Sequence, residues 1–404
     1  MNKSICLSAF LFIFTIFSCT KEEPEVLSDK SRSDSYALTD ASSGSGSESG
    51  TSTGSGEGNG NGSGNQIEPG QITAAEWNDL SNWDFWTDLI SGQEYYEMPD
   101  YWSFDLSKRI SIVLKQSSGE PAVNVLVELI NKAEDVIWTS RTDNQGSAEL
   151  WASMTNPFQD NSDLDIRINS QIIEEVRFFE DGVNNINLDS NPGEIEKSAQ
   201  IAFMVDATGS MSDELEYLKV ELVDVLSEVR SSNPNTAIST GSVFYRDQGD
   251  EYLTRESAFT PETDNTISFI KNQFAGGGGD FPEAVHTALD KSLNQLQWSP
   301  DATTRILFIL LDAPPHYENQ IISQIHSLVK KAASQGIKLI PITASGIDKE
   351  TEFLMRYMSI ASNGSYVFIT NHSGIGGDHL EASVGQYEVE YLNELMVRLI
   401  NKYI

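Results

Sequence analysis

The chain has 404 residues, 39% of them hydrophobic, and carries 60 acidic and 26 basic residues, for a formal net charge of -34 at pH 7. This length and apolar content are enough for two or three domains with cores of their own. The negative charge argues against a nucleic-acid partner and against a peripheral contact with anionic lipids, because phosphate groups would be repelled.

The first residues are typical of a secretory signal. A charged start is followed by an apolar run over residues 5–17, which is too short to span a bilayer comfortably and predicts a signal peptide over residues 1–18. The run ends in Ile16-Phe-Ser-Cys19, which resembles the bacterial lipobox. The resemblance implies that Cys19 is lipidated and anchors the mature protein to a membrane. Since the other cysteine, Cys6, lies in the signal, we expect no disulfide in the mature protein.

Residues 19–70 are predicted to form a disordered tether. From residue 28 onward the composition falls to Ser, Gly, Asn, Thr and acids, and about 45 residues of this kind reach roughly 35 to 40 Å. Thr20-Lys-Glu-Glu23 resembles the surface-export signal of Bacteroidota-type lipoproteins, and a solvated charged tail explains it equally well. We expect a lipid-anchored protein of the cell envelope, at the outer membrane, facing either the surface or the periplasm.

Residues 71–107 are rich in aromatic side chains. Trp77, Leu80, Trp83 and Trp86 recur about every third residue, which predicts an aromatic-rich segment with a short amphipathic helix. Such rings could form a platform for a sugar or a peptide. Their helical spacing favours the alternative, in which they bury against the following domain.

Residues 108–190 are predicted to form a small β-sandwich. Short apolar runs separated by turns indicate strands at residues 110–114, 124–130, 136–142, 148–151, 164–168, 172–178 and 185–188. Asp143-Asn-Gln-Gly146 predicts a hairpin turn between the third and fourth of them. The runs that begin at Gly119 and Thr142 resemble carboxypeptidase-regulatory-like, transthyretin-like domains, which implies a spacer or an interaction surface without chemistry of its own.

Residues 198–404 alternate between apolar strands and amphipathic helices. The predicted strands lie at residues 201–205, 237–245, 305–311, 337–342 and 365–369. This alternation predicts the α/β fold class, with a doubly wound, mostly parallel sheet. Ligands of such sheets bind at the carboxyl ends of the strands.

Polar residues follow the first of these strands at once. Asp206, Thr208 and Ser210 can turn three oxygen atoms toward one point, which suits a hard cation such as Mg²⁺. The order Asp206-Ala-Thr208-Gly-Ser210-Met-Ser212 resembles the metal-ion-dependent adhesion site of the von Willebrand factor type A domain. The resemblance covers residues 198–404 and implies a Mg²⁺ site, with Mn²⁺ or Ca²⁺ as alternatives.

Two later loops resemble the rest of that family's site. Asp312 ends a buried strand, like the family's third-loop aspartate. In the second loop, Gly276-Gly-Gly-Gly-Asp280-Phe-Pro-Glu283 resembles a subfamily motif, and Asp280 stands where the adhesion domains carry a threonine ligand. We therefore expect Asp280 either to bind the metal or to cap a helix that starts at Pro282.

Further residues are candidates for supporting roles. Ser212 and Asp247 could contact the metal's ligands, although an ion pair with Arg246 or Arg255 is the favoured role for Asp247. His372 and His379 are a weaker candidate for a transition-metal site.

The implied function is binding and not catalysis. The resemblance implies that one metal position stays open for a carboxylate of a protein or peptide partner, in adhesion or cell-envelope assembly. The alternative is a scaffold in which the metal only rigidifies the domain and the sandwich or the aromatic segment makes the contacts. A metal-dependent hydrolase is the third hypothesis, disfavoured because no nucleophile with a matched base appears beside these residues.

Overall fold

A computed structural model describes residues 67–154, 163–189 and 196–404. The predicted signal peptide, Cys19 and nearly all of the predicted tether lie outside the described residues. Within those ranges, no helix combines the length and the apolar character needed to cross a bilayer.

The aromatic segment begins with a strand and not with a helix. It comprises β1 (Thr73–Trp77), α1 (Trp83–Ser91) and α2 (Met98–Tyr101). The predicted helix through Trp77 is therefore wrong, because Trp77 ends β1 and only Trp83 and Trp86 of the predicted repeat share a helix. Ala74 and Ala75 are both fully buried, so β1 is covered on both faces like a strand inside a sheet.

Two small sheets follow, in line with the predicted sandwich. Their strands are β2 (Arg109–Lys115), β3 (Leu126–Asn131), β4 (Val136–Arg141), β5 (Ser147–Trp151), β6 (Leu164–Ile168), β7 (Gln171–Ile173) and β8 (Asn184–Asn187). The sheets have the orders β5-β2-β8 and β4-β3-β6-β7. The turn at Asp143 forms, with Gly146 N–H donating to the Asp143 carbonyl at 2.9 Å. The hairpin prediction is nevertheless wrong, because β4 and β5 pair in different sheets and the turn carries the chain from one sheet to the other.

The remaining chain builds an eight-stranded sheet with helices on both faces. Its elements are β9 (Ser198–Asp206), α3 (Leu215–Ser232), β10 (Ala237–Tyr245), β11 (Thr254–Thr260), α4 (Thr263–Lys271), α5 (Val285–Asn294), β12 (Thr304–Leu311), α6 (Asn319–Gln335), β13 (Ile337–Thr343), α7 (Lys349–Ala361), β14 (Tyr366–Ile369), β15 (Glu390–Tyr391) and α8 (Leu392–Tyr403). The strand order is β11-β10-β9-β12-β13-β14-β1-β15.

The predicted α/β class is confirmed, and the sheet is mostly parallel. Strands β10, β9, β12, β13 and β14 run parallel, whereas β11, β1 and β15 are joined by antiparallel pairings. Neither β11 nor the membership of β1 in this sheet is predicted from the sequence. In chain order, the sandwich strands β2–β8 come after β1 and before β9, so they are inserted between two strands that belong to the same larger sheet.

The rings of the aromatic segment are largely buried, and they pack in two directions. Trp83 lies against Trp151 of the sandwich, with ring centroids 5.7 Å apart, and Trp86 stacks on Phe353 of α7 at 5.5 Å. Burial against the following domain is therefore confirmed for Trp83, while Trp86 packs on the larger sheet's own helix. Tyr96 is the clear exception, with 57% of its surface exposed.

Candidate metal centre

The carboxyl ends of β9 and β12 bring the first and third predicted loops together. These strands are parallel neighbours, with Leu310 opposite Val205. Asp206 is the last residue of β9, and Asp312 directly follows β12. After β9 the chain turns through a 3-10 helix, Gly209–Asp213, before α3 begins. Both aspartates therefore lie at one edge of the sheet because their strands end side by side.

Asp206 is held by its own loop. Its Oδ1 accepts hydrogen bonds from Thr208 N–H at 2.8 Å and from Thr208 Oγ1 at 2.7 Å. The Thr208 and Ser210 hydroxyl oxygens are 3.1 Å apart. Asp206 is fully buried, and its Oδ2 has no hydrogen-bond partner, whereas Ser210 is exposed. The loop therefore leaves one buried carboxylate oxygen of Asp206 unpaired, while the hydroxyls of Thr208 and Ser210 lie together on the same loop.

Asp312 has the same shortage of partners. It is buried, and its Oδ1 makes no hydrogen bond. Burial raises the pKa of Asp206 to about 6. Burial, followed by the charge of Asp206, raises the pKa of Asp312 to about 7. Each carboxyl is therefore harder to ionise than an exposed aspartate, because burial and neighbouring negative charge disfavour the carboxylate form.

The glycine run of the second loop lies directly against the first loop. Gly276 N–H donates to the Ala207 carbonyl at 3.0 Å, and Gly209 N–H donates to the Gly277 carbonyl at 3.1 Å. Gly277 and Gly278 have φ values of 79° and 72°. A Cβ on Gly278 would lie 2.9 Å from Oε1 of Glu283. The approach of this loop therefore requires glycine, both for the left-handed backbone and for the space.

Glu283 is the second-loop acid that faces the two aspartates. Its Oε2 is buried without a hydrogen-bond partner. Burial, followed by the charges of Asp206, Asp247, Asp312 and Asp250, raises its pKa to about 9. Glu283 belongs to the second-loop motif, in which only Asp280 is a predicted ligand from the sequence. The Pro-Glu pair that follows Asp280 was the available signal.

Asp280, the predicted ligand on this loop, lies in an exposed position. The alternative that it caps a helix starting at Pro282 is wrong, since α5 starts at Val285, after Ala284, and has no side-chain cap. Its role as a metal ligand stays a prediction.

Asp247 is tied to the third loop and not to an arginine. Its Oδ1 lies 2.9 Å from Nε2 of His316. Arg246 instead donates to the backbone carbonyls of Ala207 and Phe274, at 3.1 and 2.8 Å. The predicted Asp247 ion pair with Arg246 or Arg255 is therefore wrong. Asp247 contributes negative charge behind Glu283, while Ser212 is exposed on the first loop.

The two histidines of the loop after β14 have different surroundings. His379 is buried, with Nε2 3.0 Å from Oε1 of Glu214 and Nδ1 2.9 Å from Oδ1 of Asn371. His372 is exposed. Because both ring nitrogens of His379 already have partners, the structure offers no support for a transition-metal site on this pair.

Comparison with known families identifies the larger sheet. Residues 200–378 match the model of the von Willebrand factor A domain. These residues form a von Willebrand factor A domain. The resemblance to this domain is thus confirmed for residues 200–378, whereas the metal site that it implies stays a prediction. The A domain's loops carry Asp206, Glu283 and Asp312. Strand β1 and helix α8 lie outside the matched residues, and both belong to the same folded unit.

Two relatives share parts of this chain. A putative ariadne-like RING finger protein of Acanthamoeba polyphaga mimivirus is 34% identical over 119 residues, which is 30% of this chain and 11% of the relative. An alpha-protein kinase, vwkA, of Dictyostelium discoideum is 26% identical over 172 residues, which is 41% of this chain and 26% of the relative. The chain therefore spans only a small part of either relative's length, and their activities do not transfer with the match.

The residues at this edge of the A domain fit a divalent cation. Asp206, Glu283 and Asp312 each leave a buried oxygen without a partner. In the described ranges, no group of three or more His, Cys, Asp or Glu side chains forms a metal site by itself. The donor set would therefore have to include the Thr208 and Ser210 hydroxyls and water, which are oxygen ligands of the kind that Mg²⁺ prefers.

Proposed function

We propose that the A domain binds a divalent cation, with Mg²⁺ as the favoured ion, and that this ion binds a carboxylate of a protein or peptide partner. The supporting observation is that Asp206, Glu283 and Asp312, on three loops that meet at one edge of the sheet, each leave a buried carboxylate oxygen without a hydrogen-bond partner. The ion would be held from below by carboxylate oxygens, with solvent-facing positions left for exchange. A bound ion of this kind supplies positive charge for an incoming anion.

The protein-binding role agrees with the domain type, since A domains commonly mediate protein interactions. Ser210, Ser212 and Asp280 at this edge are exposed, so its loops are open to solvent, which suits capture of a partner better than enclosure of a small substrate. His316 has Asp247 as its side-chain partner, and no Ser, Thr or Cys in the described ranges forms a hydrogen bond with it. The proposal is therefore one of binding and not of catalysis.

The location belongs to the proposal as well. The lipobox resemblance at Cys19 and the Gly/Ser-rich composition up to residue 70 support a lipid anchor followed by a flexible spacer. Such a protein would present its metal edge to partners in adhesion or in cell-envelope assembly.

The test of this function begins with the ion. Isothermal titration calorimetry of the purified full chain with MgCl₂ should show saturable binding that Asp206→Asn abolishes. Asp84→Asn, which changes an exposed acid of α1, is the matched control and should bind Mg²⁺ like the wild type. Equal Mg²⁺ binding by all three proteins would refute the site.

The second stage concerns the partner. Cell-envelope proteins captured by the wild type in Mg²⁺ should be released by chelator and should not be captured by Ser210→Ala. If capture survives both chelation and Ser210→Ala while Mg²⁺ binding is intact, the ion only rigidifies the domain and another surface makes the contacts.

A further inference from the structure

The loops at the metal edge carry exposed apolar side chains as well as acids. We define the metal-edge loops as residues 206–213, 246–253, 274–284, 312–318 and 371–388. We infer that the partner segment recognised at this edge carries one acidic residue, flanked by apolar side chains and by Lys or Arg. This inference rests on the proposed function and adds the chemical class of the partner.

Two phenylalanines flank the glycine run. Phe274 is 62% exposed and Phe281 is 46% exposed. Neither belongs to a disordered tip, because the backbone on both sides is fastened to the other loops. The Phe274 carbonyl accepts from Arg246 at 2.8 Å, and Glu283 N–H donates to the Pro314 carbonyl at 2.9 Å. Both rings are therefore presented to solvent on backbone that is tied to the loop after β10 and to the third loop.

The third loop carries an exposed aromatic side chain of its own, Tyr317. Tyr317, 47% exposed, stacks on Tyr101 with ring centroids 4.1 Å apart, and its hydroxyl donates to the Tyr101 carbonyl at 2.8 Å. Leu253, 37% exposed, follows the second strand's loop. The loops that carry these side chains contact one another, through Arg246 with Phe274 and through Glu283 with Pro314. Exposed apolar side chains on loops joined in this way mark an interaction surface, whereas scattered ones would not.

The metal-edge loops are acidic, which favours a partner segment with basic residues. Exposed acids occur on each of them at Asp213, Glu251, Asp280, Glu318 and Asp378. Arg246 is the sole Lys or Arg in the sequence of these loops, and its guanidinium is buried and donates to the Ala207 and Phe274 carbonyls. Lys219 and Arg255 reach these loops from neighbouring elements, over the rings of Phe274 and Tyr252, but the exposed acids outnumber them. A partner rich in acids would therefore be repelled by most of this surface. A partner with basic residues around a single acid would be attracted by the acidic loops and by the ion together.

The experiment is a selection from a random peptide library, displayed on phage, against the immobilised full chain in MgCl₂. Bound phage are eluted with chelator, and phage that also bind the Ser210→Ala chain are removed. We expect the eluted sequences to hold one Asp or Glu beside Phe, Leu, Ile or Tyr, with Lys and Arg enriched over the input library. Enrichment of peptides with several acids, or of peptides without apolar residues, would overturn the inference.

A synthetic copy of the most enriched peptide then tests whether the Phe274 and Phe281 rings contribute to binding. Its affinity for Phe281→Ser, and separately for Phe274→Ser, should fall about tenfold, as expected for loss of one large apolar contact. Ile172→Ser is the matched control, because Ile172 is 47% exposed on the sandwich. The peptide should bind the Ile172→Ser chain with the same affinity as the wild type.

The results distinguish a failure of the apolar surface from a failure of metal-dependent binding. Peptide binding that needs Mg²⁺ and Asp206 but ignores both phenylalanine substitutions would refute the apolar surface and leave metal-dependent binding intact. If chelator elutes no phage above the level of the Asp206→Asn chain, the proposed function fails, and the inference fails with it.

Discussion

Asp79 and Arg356 form an ion pair although they are 277 residues apart, and both side chains are fully buried. The guanidinium donates to the two carboxylate oxygens at 2.6 and 3.0 Å. Trp77 Nε1 donates to the same carboxylate at 3.0 Å. Asp79 follows β1 and Arg356 lies on α7, so this pair fastens the aromatic segment to the A domain.

We expect Asp79→Ala to lower the free energy of unfolding by about 3 kcal/mol, because it removes the closer of the two buried carboxylates that pair with Arg356 and leaves only Glu352, at 3.4 Å. Urea unfolding of the full chain measures the change. Arg255→Gln is the control, since the side chains of Arg255 and its partner Glu251 are 42% and 71% exposed, and it should cost less than about 1 kcal/mol. Equal effects of the two substitutions would contradict a structural role for the buried pair.

Mg²⁺ should stabilise the folded chain. At a free concentration about 100 times Kd, the free energy of unfolding should rise by about 2.7 kcal/mol. Asp206→Asn should remove this gain, and Asp84→Asn should keep it. The measurement is urea unfolding with MgCl₂ and with chelator, and a gain retained by Asp206→Asn would exclude Asp206 as a ligand.

The metal-free chain should lose stability as pH rises, and Glu283 should account for part of the loss. Its pKa is raised from an ordinary 4.5 to about 9, first by burial and then by neighbouring carboxylates. Between these values the folded state holds a proton that the unfolded state releases, so stability present below pH 4.5 is lost progressively up to about pH 9. Asp206 and Asp312, with pKa values raised to about 6 and about 7, act in the same direction.

Glu283→Gln isolates this contribution. In chelator, the thermal midpoint of the variant should fall less between pH 5 and pH 8 than that of the wild type, because Gln cannot ionise. Parallel profiles for the two proteins would show that Glu283 does not titrate differently on folding.

Glu283 and Asp280 make opposite predictions for the second loop. Glu283 is buried beside the aspartates, whereas Asp280 is exposed. We therefore expect Glu283→Gln to weaken Mg²⁺ binding at least tenfold, about 1.4 kcal/mol, and Asp280→Asn to weaken it much less. Calorimetric titration of both variants decides the matter, and the reverse order of affinities would restore Asp280 as the ligand on this loop.

Anchoring depends on one side chain. Cys19→Ala should release the protein from membranes or leave its signal uncleaved, because Cys19 is the predicted lipidation site. Membrane fractionation and intact mass measure the outcome, with Cys6→Ala as the control that should still be anchored. Unchanged fractionation and mass in Cys19→Ala would refute the anchor.

The sequence by itself determined five strands of the larger sheet, β9, β10, β12, β13 and β14, and most of the sandwich strands. Their apolar runs and turn residues are local signals, because side-chain periodicity follows directly from the backbone geometry of each element. It also determined that Asp206 and Asp312 lie at strand ends. Once a parallel sheet forms, such positions share an edge whatever the loops do.

Only the tertiary structure decided where β1 pairs and which acid of the second loop faces the site. Ala75 lies opposite Phe368, and no local pattern encodes a partner so distant in sequence. Asp280 and Glu283 are three residues apart on an irregular loop. Their directions depend on how the glycine run packs against Ala207 and Gly209, which is a property of contacts between loops and not of residue spacing.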